Sequence, residues 1–232
     1  IRNIPDNPVN LAFQHFHEVL YRGHAFAMPV MGSEASLMKL TPGRLRHAYR
    51  KGLTAKNLVL AAVGDVDPDA LGARLAELTS RLSDHEPSGE PAPMPALADG
   101  RHREVVQTQK QQAHLIVGFR GARVDDADRH ALEMLAAVLA GQSGRLFSDL
   151  RDRQGLAYSV TAWSQEAVDP GFFALYIGTD ASKLTRARDG MVEHIERLQQ
   201  EPVSAAEIER AGRYLVGSFE IDEVRPLVER WI

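Results

Sequence analysis

The sequence contains no cysteine, and this absence removes several kinds of chemistry. Without a thiol there is no disulfide, no thiolate nucleophile and no cysteine-ligated metal. The absence fits the cytosol and is also compatible with the periplasm, so the compartment stays open. Long apolar runs are missing as well, since none approaches the roughly 18 residues of a membrane-spanning helix. We therefore expect no membrane span.

A strong charge of either sign is also absent, because the 232 residues carry a formal net charge of −4. A phosphate backbone requires a basic surface, so a nucleic acid is not an expected partner. Hydrophobic residues make up 44% of the chain and charged residues 25%, which is typical of a soluble globular protein. The chain begins at Ile1 without methionine and ends at Ile232 just after a helical pattern, so we expect a truncated piece.

A proline-rich stretch interrupts the chain between Asp84 and Gly100, where four prolines stand among small and acidic residues. Proline removes a backbone donor and opposes helix formation, which is typical of a linker. We predict a first segment at residues 1–83, a linker at 84–103 and a second segment at 104–232.

Hydrophobic spacing predicts the elements within each segment. In the first segment it indicates helices over Asn7–Tyr21 and 41–51, a strand at Leu58–Val63 and a helix beginning at Asp67-Pro68. In the second it indicates strands at 104–107, 113–119, 158–163 and 172–177, with helices at 128–140, 145–153, 184–198 and 208–219. Strands and helices that cluster in this way predict an α+β fold, with helices packed on one face of a mainly antiparallel sheet.

Histidines near the start of the chain form the first metal candidate, in the segment His15-Phe-His17-Glu18 with His24 further on. Helical ligands must lie three or four residues apart to share a face, and His15 and His17 lie two apart. We therefore favour solvated or core histidines over a metal site.

A second candidate is His130-Ala-Leu-Glu133-Met134. The inverted zinc motif is His-x-x-Glu-His, and here methionine takes the position of the second histidine. Since a thioether is a poor zinc ligand beside imidazole, we expect the polar face of an ordinary helix. The glycines around Ser143 lack the lysine of a phosphate loop, and no serine-hydrolase elbow is present. We expect no metal site in this chain.

The most informative stretch runs from Gly144 to Val160, with the sequence GRLFSDLRDRQGLAYSV. It indicates an amphipathic helix, a glycine turn and a strand that begins with an aromatic residue. Arg151 lies near the end of the helix and Tyr158 at the start of the strand, seven residues apart. By physical reasoning alone, a surface arginine and a packed tyrosine are the simplest interpretation.

This stretch resembles the "SRL…LR…GLAY" signature in the second half of pitrilysin/insulinase-type zinc metallopeptidases. Other segments match in the same order, among them Val63-Gly-Asp-Val-Asp67 with the end of the first half and Gly171–Gly178 with a strand of the second. The resemblance covers essentially the whole chain. It implies two related α+β halves that close like a clamshell around an unfolded peptide, with residues 1–83 at the end of the zinc-bearing half.

The resemblance also implies roles for Arg151 and Tyr158. Arginine would bind a carbonyl or carboxylate of the peptide substrate, and the tyrosine hydroxyl would also donate to the oxyanion of the tetrahedral intermediate, which makes Tyr158 a catalytic residue. In such enzymes zinc is the cofactor, and it is held by the first half. Neither His-x-x-Glu-His nor the expected distal glutamate has a match here, so the chain alone is expected to be inactive.

Three hypotheses follow from this resemblance. The parent protein is a bacterial zinc endopeptidase that degrades or processes peptides, and this chain is its substrate-binding piece. Alternatively, it is a zinc-less subunit that binds peptide for a catalytic partner, as a dimer or with a different chain. The third hypothesis is a scaffold protein of the same fold, like the core subunits of respiratory complexes.

Overall fold

The computed structural model describes residues 7–86, 93–96, 100–108, 110–141 and 143–229, with side chains up to Ile221. The contacts divide the chain into two compact units. One is Pro29–Pro93, and the other joins the chain up to Met28 with the chain from Met94 onward. The predicted linker at 84–103 falls partly outside the described residues, and the predicted division stays a prediction.

The described chain contains seven α-helices, one π-helix and three strands, besides short 3₁₀ turns. In chain order these are α1 (Pro8–Leu20), α2 (Glu34–Leu37), α3 (Pro42–Gly52), α4 (Pro68–Thr79), β1 (Gln112–Arg120), α5 (Arg129–Leu139), the π-helix (Phe147–Arg153), β2 (Ser159–Gln165), β3 (Phe172–Asp180), α6 (Leu184–Gln200) and α7 (Ala205–Glu229).

Three helices begin at the same sequence signal, a polar residue followed by proline. The side chains of Asn7, Thr41 and Asp67 accept hydrogen bonds from backbone N–H groups in the first turns of α1, α3 and α4. These N–H groups have no partner inside a helix, and proline at the first position lacks one. The predicted starts of these helices are therefore confirmed.

The second unit is built on an antiparallel sheet in the order β1-β3-β2. The central strand β3 is buried along all but its last residue. Leu175 pairs with Val117 on one side and with Ala162 on the other. Apolar side chains from all three strands therefore lie side by side in one core cluster.

Each face of the sheet has its own hydrophobic cluster. One face packs against α5, α6 and the π-helix through a large cluster centred on Leu139, Leu150 and Leu175. The other face packs against α1. Phe16 of α1 lies so close to β1 that a Cβ built on Gly118 would be 2.5 Å from the Phe16 ring. The predicted α+β class with an antiparallel sheet is confirmed, and the structure adds α1 on the second face.

Two predicted strands are wrong. Leu58–Val63 and Glu104–Gln107 have no strand pairing in the described structure. In Leu58–Val63 the side chains of Val59 and Val63 are almost fully exposed. A short apolar run becomes a strand only where a neighbouring strand accepts its backbone hydrogen bonds, and such a neighbour is missing among the described residues.

Candidate functional site

The predicted helix before the glycine turn is helical, but its last two turns are a π-helix. Gln154 donates its N–H to the carbonyl of Asp149, 3.0 Å away and five residues back, and Leu156 donates to the carbonyl of Leu150 at 2.7 Å. This wider turn is a rare geometry that is frequent at functional sites. It places the candidate residue Arg151 in its last turn.

Arg151 is exposed, and its guanidinium carbon lies 4.7 Å from the centroid of the Phe147 ring. A guanidinium at this distance over an aromatic face is held by a cation–π interaction. Stacking of this kind leaves the N–H groups at the edge of the guanidinium plane able to donate to a ligand.

The connection from Arg151 to Tyr158 is anchored at each step. Gly155 adopts a left-handed conformation with φ of 61° and donates its N–H to the Arg151 carbonyl at 3.0 Å. The side chain of Leu156 is buried, and its carbonyl accepts a hydrogen bond from the Thr179 hydroxyl at 2.5 Å. Lys183 donates to the Gly155 carbonyl at 3.0 Å. The two candidate residues therefore lie at the ends of one fixed turn.

Tyr158 lies immediately before β2, and its backbone N–H donates to the carbonyl of Gly178 at 2.9 Å. Its side chain is 57% exposed, so the ring lies outside the core. Position and exposure leave the phenol accessible to a ligand.

A hydrogen bond between His194 and Asp149, which the sequence did not predict, holds the π-helix against α6. His194 is buried, and its Nε2 lies 2.9 Å from an oxygen of Asp149. Burial alone would raise the pKa of Asp149, but hydrogen bonds from His194 and Gln154 outweigh it and lower that pKa. The carboxylate is thus held in its charged form, two residues before Arg151.

A second missed pair connects the segment before the π-helix to the start of α7. Arg145 donates two hydrogen bonds to the carboxylate of Glu207, at 2.6 and 2.9 Å. Ser204 donates its backbone N–H and its hydroxyl to the same carboxylate, as in a capping box. The hydrogen bonds from Arg145 and Ser204 lower the pKa of Glu207 to about 2.

The early histidines have separate surroundings. His17 packs against the rings of Tyr21 and Phe172, and burial lowers its pKa. His24 is buried, and its Nδ1 accepts the N–H of Phe26. His24 is thus a buried histidine, whereas His17 is half-buried among aromatic rings.

His15 has a different environment, because its Nδ1 lies 3.0 Å from Glu18 and 3.1 Å from Glu104. Among the described residues these three could hold a metal ion, since their ligand atoms lie within 4.8 Å of one another. All three side chains are partly exposed. Sequence spacing alone could not reveal this group, since Glu104 lies far from α1 in the chain.

The degenerate zinc motif on α5 does not fit a zinc site. His130 and Glu133 are exposed, and His130 Nδ1 lies 3.8 Å from the Glu133 carboxylate. Met134, at the position of the second histidine, points at α7, where a Cβ on Gly212 would lie 3.8 Å from its terminal methyl. One exposed imidazole does not supply the three converging ligands of a catalytic zinc.

A family model described as the peptidase M16 inactive domain matches residues 39–215, which include the π-helix, Arg151 and Tyr158. This chain belongs to the peptidase M16 family. The family that the sequence resemblance predicted is thereby confirmed, and the half that it matches is the inactive one.

Two bacterial relatives of the M16 chain are both named as zinc proteases. It is 31% identical over 222 residues to an uncharacterized zinc protease of Streptomyces coelicolor, covering 92% of this chain and 48% of the relative. It is 26% identical to an uncharacterized zinc protease of Bacillus subtilis, covering 94% of this chain and 53% of the relative. The chain thus spans about half the length of these relatives.

The fold of the M16 chain is also found in a crystal structure of a peptidase M16 inactive domain from Pseudomonas fluorescens. The TM-score is 0.74 at 26% identity, and the match covers 94% of this chain and 53% of that one.

Among the described residues, no helix combines the length and the apolar character that crossing a bilayer requires.

Proposed function

We propose that this chain is the substrate-binding part of an M16 zinc endopeptidase that degrades or processes peptides. The observation that carries the proposal is the fixed turn from Arg151 to Tyr158, which presents two exposed side chains at its ends. A rigid support of this kind is what a binding pair needs, because side chains held by their neighbours lose little entropy on binding.

In this proposal the ligand is a peptide or an unfolded polypeptide. Arg151 donates charge-assisted hydrogen bonds to a carbonyl or carboxylate of the ligand. Tyr158 donates its hydroxyl to the oxygen that becomes negative when water attacks the peptide bond. Zinc would be held by a zinc-bearing half, on the same polypeptide or on a partner subunit, and would there activate the attacking water, because the His130–Met134 motif on α5 does not fit a catalytic zinc.

Peptide binding to the chain itself tests the proposal. We expect Arg151→Ala to weaken binding of a fluorescently labelled, unstructured peptide about tenfold or more, because it removes a charged donor. Tyr158→Phe should change the dissociation constant little, since its hydroxyl acts mainly in the transition state. Fluorescence anisotropy measures both dissociation constants.

Arg153→Ala is the matched control, because Arg153 lies in the same π-helix and is 79% exposed. Its 3.6 Å contact with Asp149 is a surface ion pair of small energetic value. Equal affinity of the wild-type, Arg151→Ala and Arg153→Ala chains would contradict the proposed role of Arg151.

A further inference from the structure

Three side chains that can bind a cation meet beside α1. His15 and Glu18 lie three residues apart on α1, so they share one face of that helix. Glu104 comes from the segment at 100–108, which is neither helix nor strand. The spacing of His15 and His17 argued against a metal site, and the fold brings a carboxylate from a distant part of the chain to His15 instead.

The distances around His15 Nδ1 match those between ligands that share one ion. Nδ1 lies 3.0 Å from Oε2 of Glu18 and 3.1 Å from Oε1 of Glu104. Two ligands that each lie about 2.1 Å from an ion, at an angle of about 90–110°, are roughly 3.0–3.4 Å apart. All three ligand atoms lie within 4.8 Å of one another, so a single ion can be reached by each of them.

Direct hydrogen bonds do not account for this arrangement. His15 Nδ1 is buried and has no hydrogen-bond partner among the described residues, although both carboxylate oxygens are close enough. A hydrogen bond weakens steeply when the acceptor lies away from the N–H axis. An ion between the nitrogen and the two oxygens would give all three atoms a partner at once.

The ligands on α1 are held by their neighbours. Gln14 donates to Oε1 of Glu18 at 3.0 Å, which leaves the other oxygen of this carboxylate beside His15. Hydrogen bonds from neighbouring residues orient metal ligands in this way. The helix itself is fixed on the sheet, where the ring of Phe16 packs edge-on against that of Phe172. Two of the three ligands therefore have a rigid support.

The chemistry of the three donors defines the class of ion. Imidazole suits Zn²⁺ and its neighbours in the first transition row, whereas Mg²⁺ prefers oxygen ligands alone. Two carboxylates balance the charge of a divalent ion. The side chains of His15, Glu18 and Glu104 are 27%, 37% and 40% exposed. This exposure leaves room for water in the remaining coordination positions.

We propose that His15, Glu18 and Glu104 bind a divalent ion of the first transition row, and that this ion ties the segment at 100–108 to α1. The segment lies outside the sheet, so a bond through Glu104 gives it an anchor that its backbone lacks. The site goes beyond the proposed function, because Arg151 and Tyr158 take no part in it.

Calorimetric titration of the whole, metal-free chain with Zn²⁺ tests the site. We expect one ion per chain to bind more tightly than any other, and excess Mg²⁺ should not displace it. Glu104→Gln should weaken binding of this ion at least tenfold, because it removes one of three ligands. Glu133→Gln is the matched control, since Glu133 also lies three residues from a histidine, His130 on α5, at 3.8 Å. The control should bind Zn²⁺ like the wild type.

Mn²⁺ locates the site without any substitution. A paramagnetic ion broadens the NMR signals of nearby nuclei, so a small amount of Mn²⁺ should broaden the ring signals of His15 and leave those of His130 sharp. Zn²⁺ should also slow tryptic cleavage after Arg101 and Arg103 at least threefold, because an anchored segment opens less often. In the Glu104→Gln chain Zn²⁺ should not change these cleavage rates.

Several outcomes would overturn the inference. Equal affinity of the wild-type and Glu104→Gln chains for Zn²⁺ would reject the site, and so would equal broadening at His15 and His130. A wild-type chain that binds no Zn²⁺ would assign the cluster to an ion pair between a protonated His15 and the two glutamates. Zn²⁺ binding that requires Glu104 but leaves cleavage after Arg101 and Arg103 unchanged would reject the anchoring of the segment.

Discussion

Gly190 decides how closely α6 approaches the π-helix. A Cβ built on Gly190 would lie 2.5 Å from a methyl carbon of Leu150, which is fully buried. The same turn of α6 brings His194 to Asp149 at 2.9 Å. The absence of a side chain at one position thus lets α6 support the π-helix that carries Arg151.

We predict that Gly190→Ala destabilises the chain by about 1–2 kcal/mol, because the overpacking of Leu150 exceeds the gain in helix propensity. Chemical denaturation measures the free energy of unfolding. Gly217→Ala in α7 is the matched control, since a Cβ there meets nothing within 4 Å. The control should be neutral or stabilising by up to about 1 kcal/mol. A Gly190→Ala chain as stable as its control would show that α6 does not press on Leu150.

At the level of residues, the sequence predicted Arg151 and Tyr158 as candidates because both fall within one short pattern. It did not predict their supports. Asp149 and His194 are 45 residues apart, and Arg145 and Glu207 are 62 apart. Nothing local marks such partners, because their contact depends on how α6 and α7 pack on the sheet.

At the level of elements, α7 depends on the Arg145–Glu207 pair. The side chains are only 14% and 19% exposed, and Glu207 also caps the first turn of α7 through Ser204. The Glu207 carboxylate therefore accepts hydrogen bonds from two elements. One is the start of α7, and the other is the segment that leads into the π-helix. The charge of Glu207 is required for both sets of hydrogen bonds.

We predict that Glu207 contributes to the pH dependence of stability, and that Glu207→Gln removes this contribution. The folded pKa of Glu207 is about 2, below its ordinary value of 4.5. A carboxyl whose pKa is lowered by folding stabilises fully above its unfolded pKa, and this stabilisation is lost as pH falls toward its folded pKa. The wild-type chain should therefore exceed Glu207→Gln in unfolding free energy by a constant amount above about pH 5.5. The difference should shrink between pH 4.5 and 2.

Urea denaturation at several pH values measures this difference. Glu209→Gln is the matched control, because Glu209 lies in the same turn of α7 and is 71% exposed, with a contact of 3.9 Å to Arg213. Its effect should be small at every pH. A difference between wild type and Glu207→Gln that stays constant down to pH 2 would contradict the lowered pKa.

The elements themselves were predictable where local signals decide them. Caps and amphipathic spacing define α1, α3, α4 and α5 without reference to the rest of the chain. Strands were predicted less well, because Leu58–Val63 has the composition of a strand but lacks a partner among the described residues. The sequence predicted a helix at residues 145–153 but did not predict that most of it is a π-helix. Over seven residues the hydrophobic spacing of a π-helix does not differ visibly from that of an α-helix.

At the level of the whole molecule, the M16 chain is one part of a larger catalytic arrangement in our proposal. It covers about half the length of the zinc proteases that it resembles, 48% and 53%. Its residues do not fit a zinc site on α5, yet its Arg151–Tyr158 turn is firmly supported. The division of labour that we propose places the metal on one half and the transition-state donor on the other.

The kinetics of Tyr158→Phe in a zinc-containing enzyme that carries this chain test that division most directly. The substitution keeps the ring and removes only the hydroxyl. Since loss of one oxyanion donor costs about 10²- to 10³-fold in rate, kcat should fall by that factor while KM changes little. Tyr49→Phe, at an exposed tyrosine of α3, should leave both constants unchanged. Wild-type kcat in the Tyr158→Phe enzyme would contradict the account.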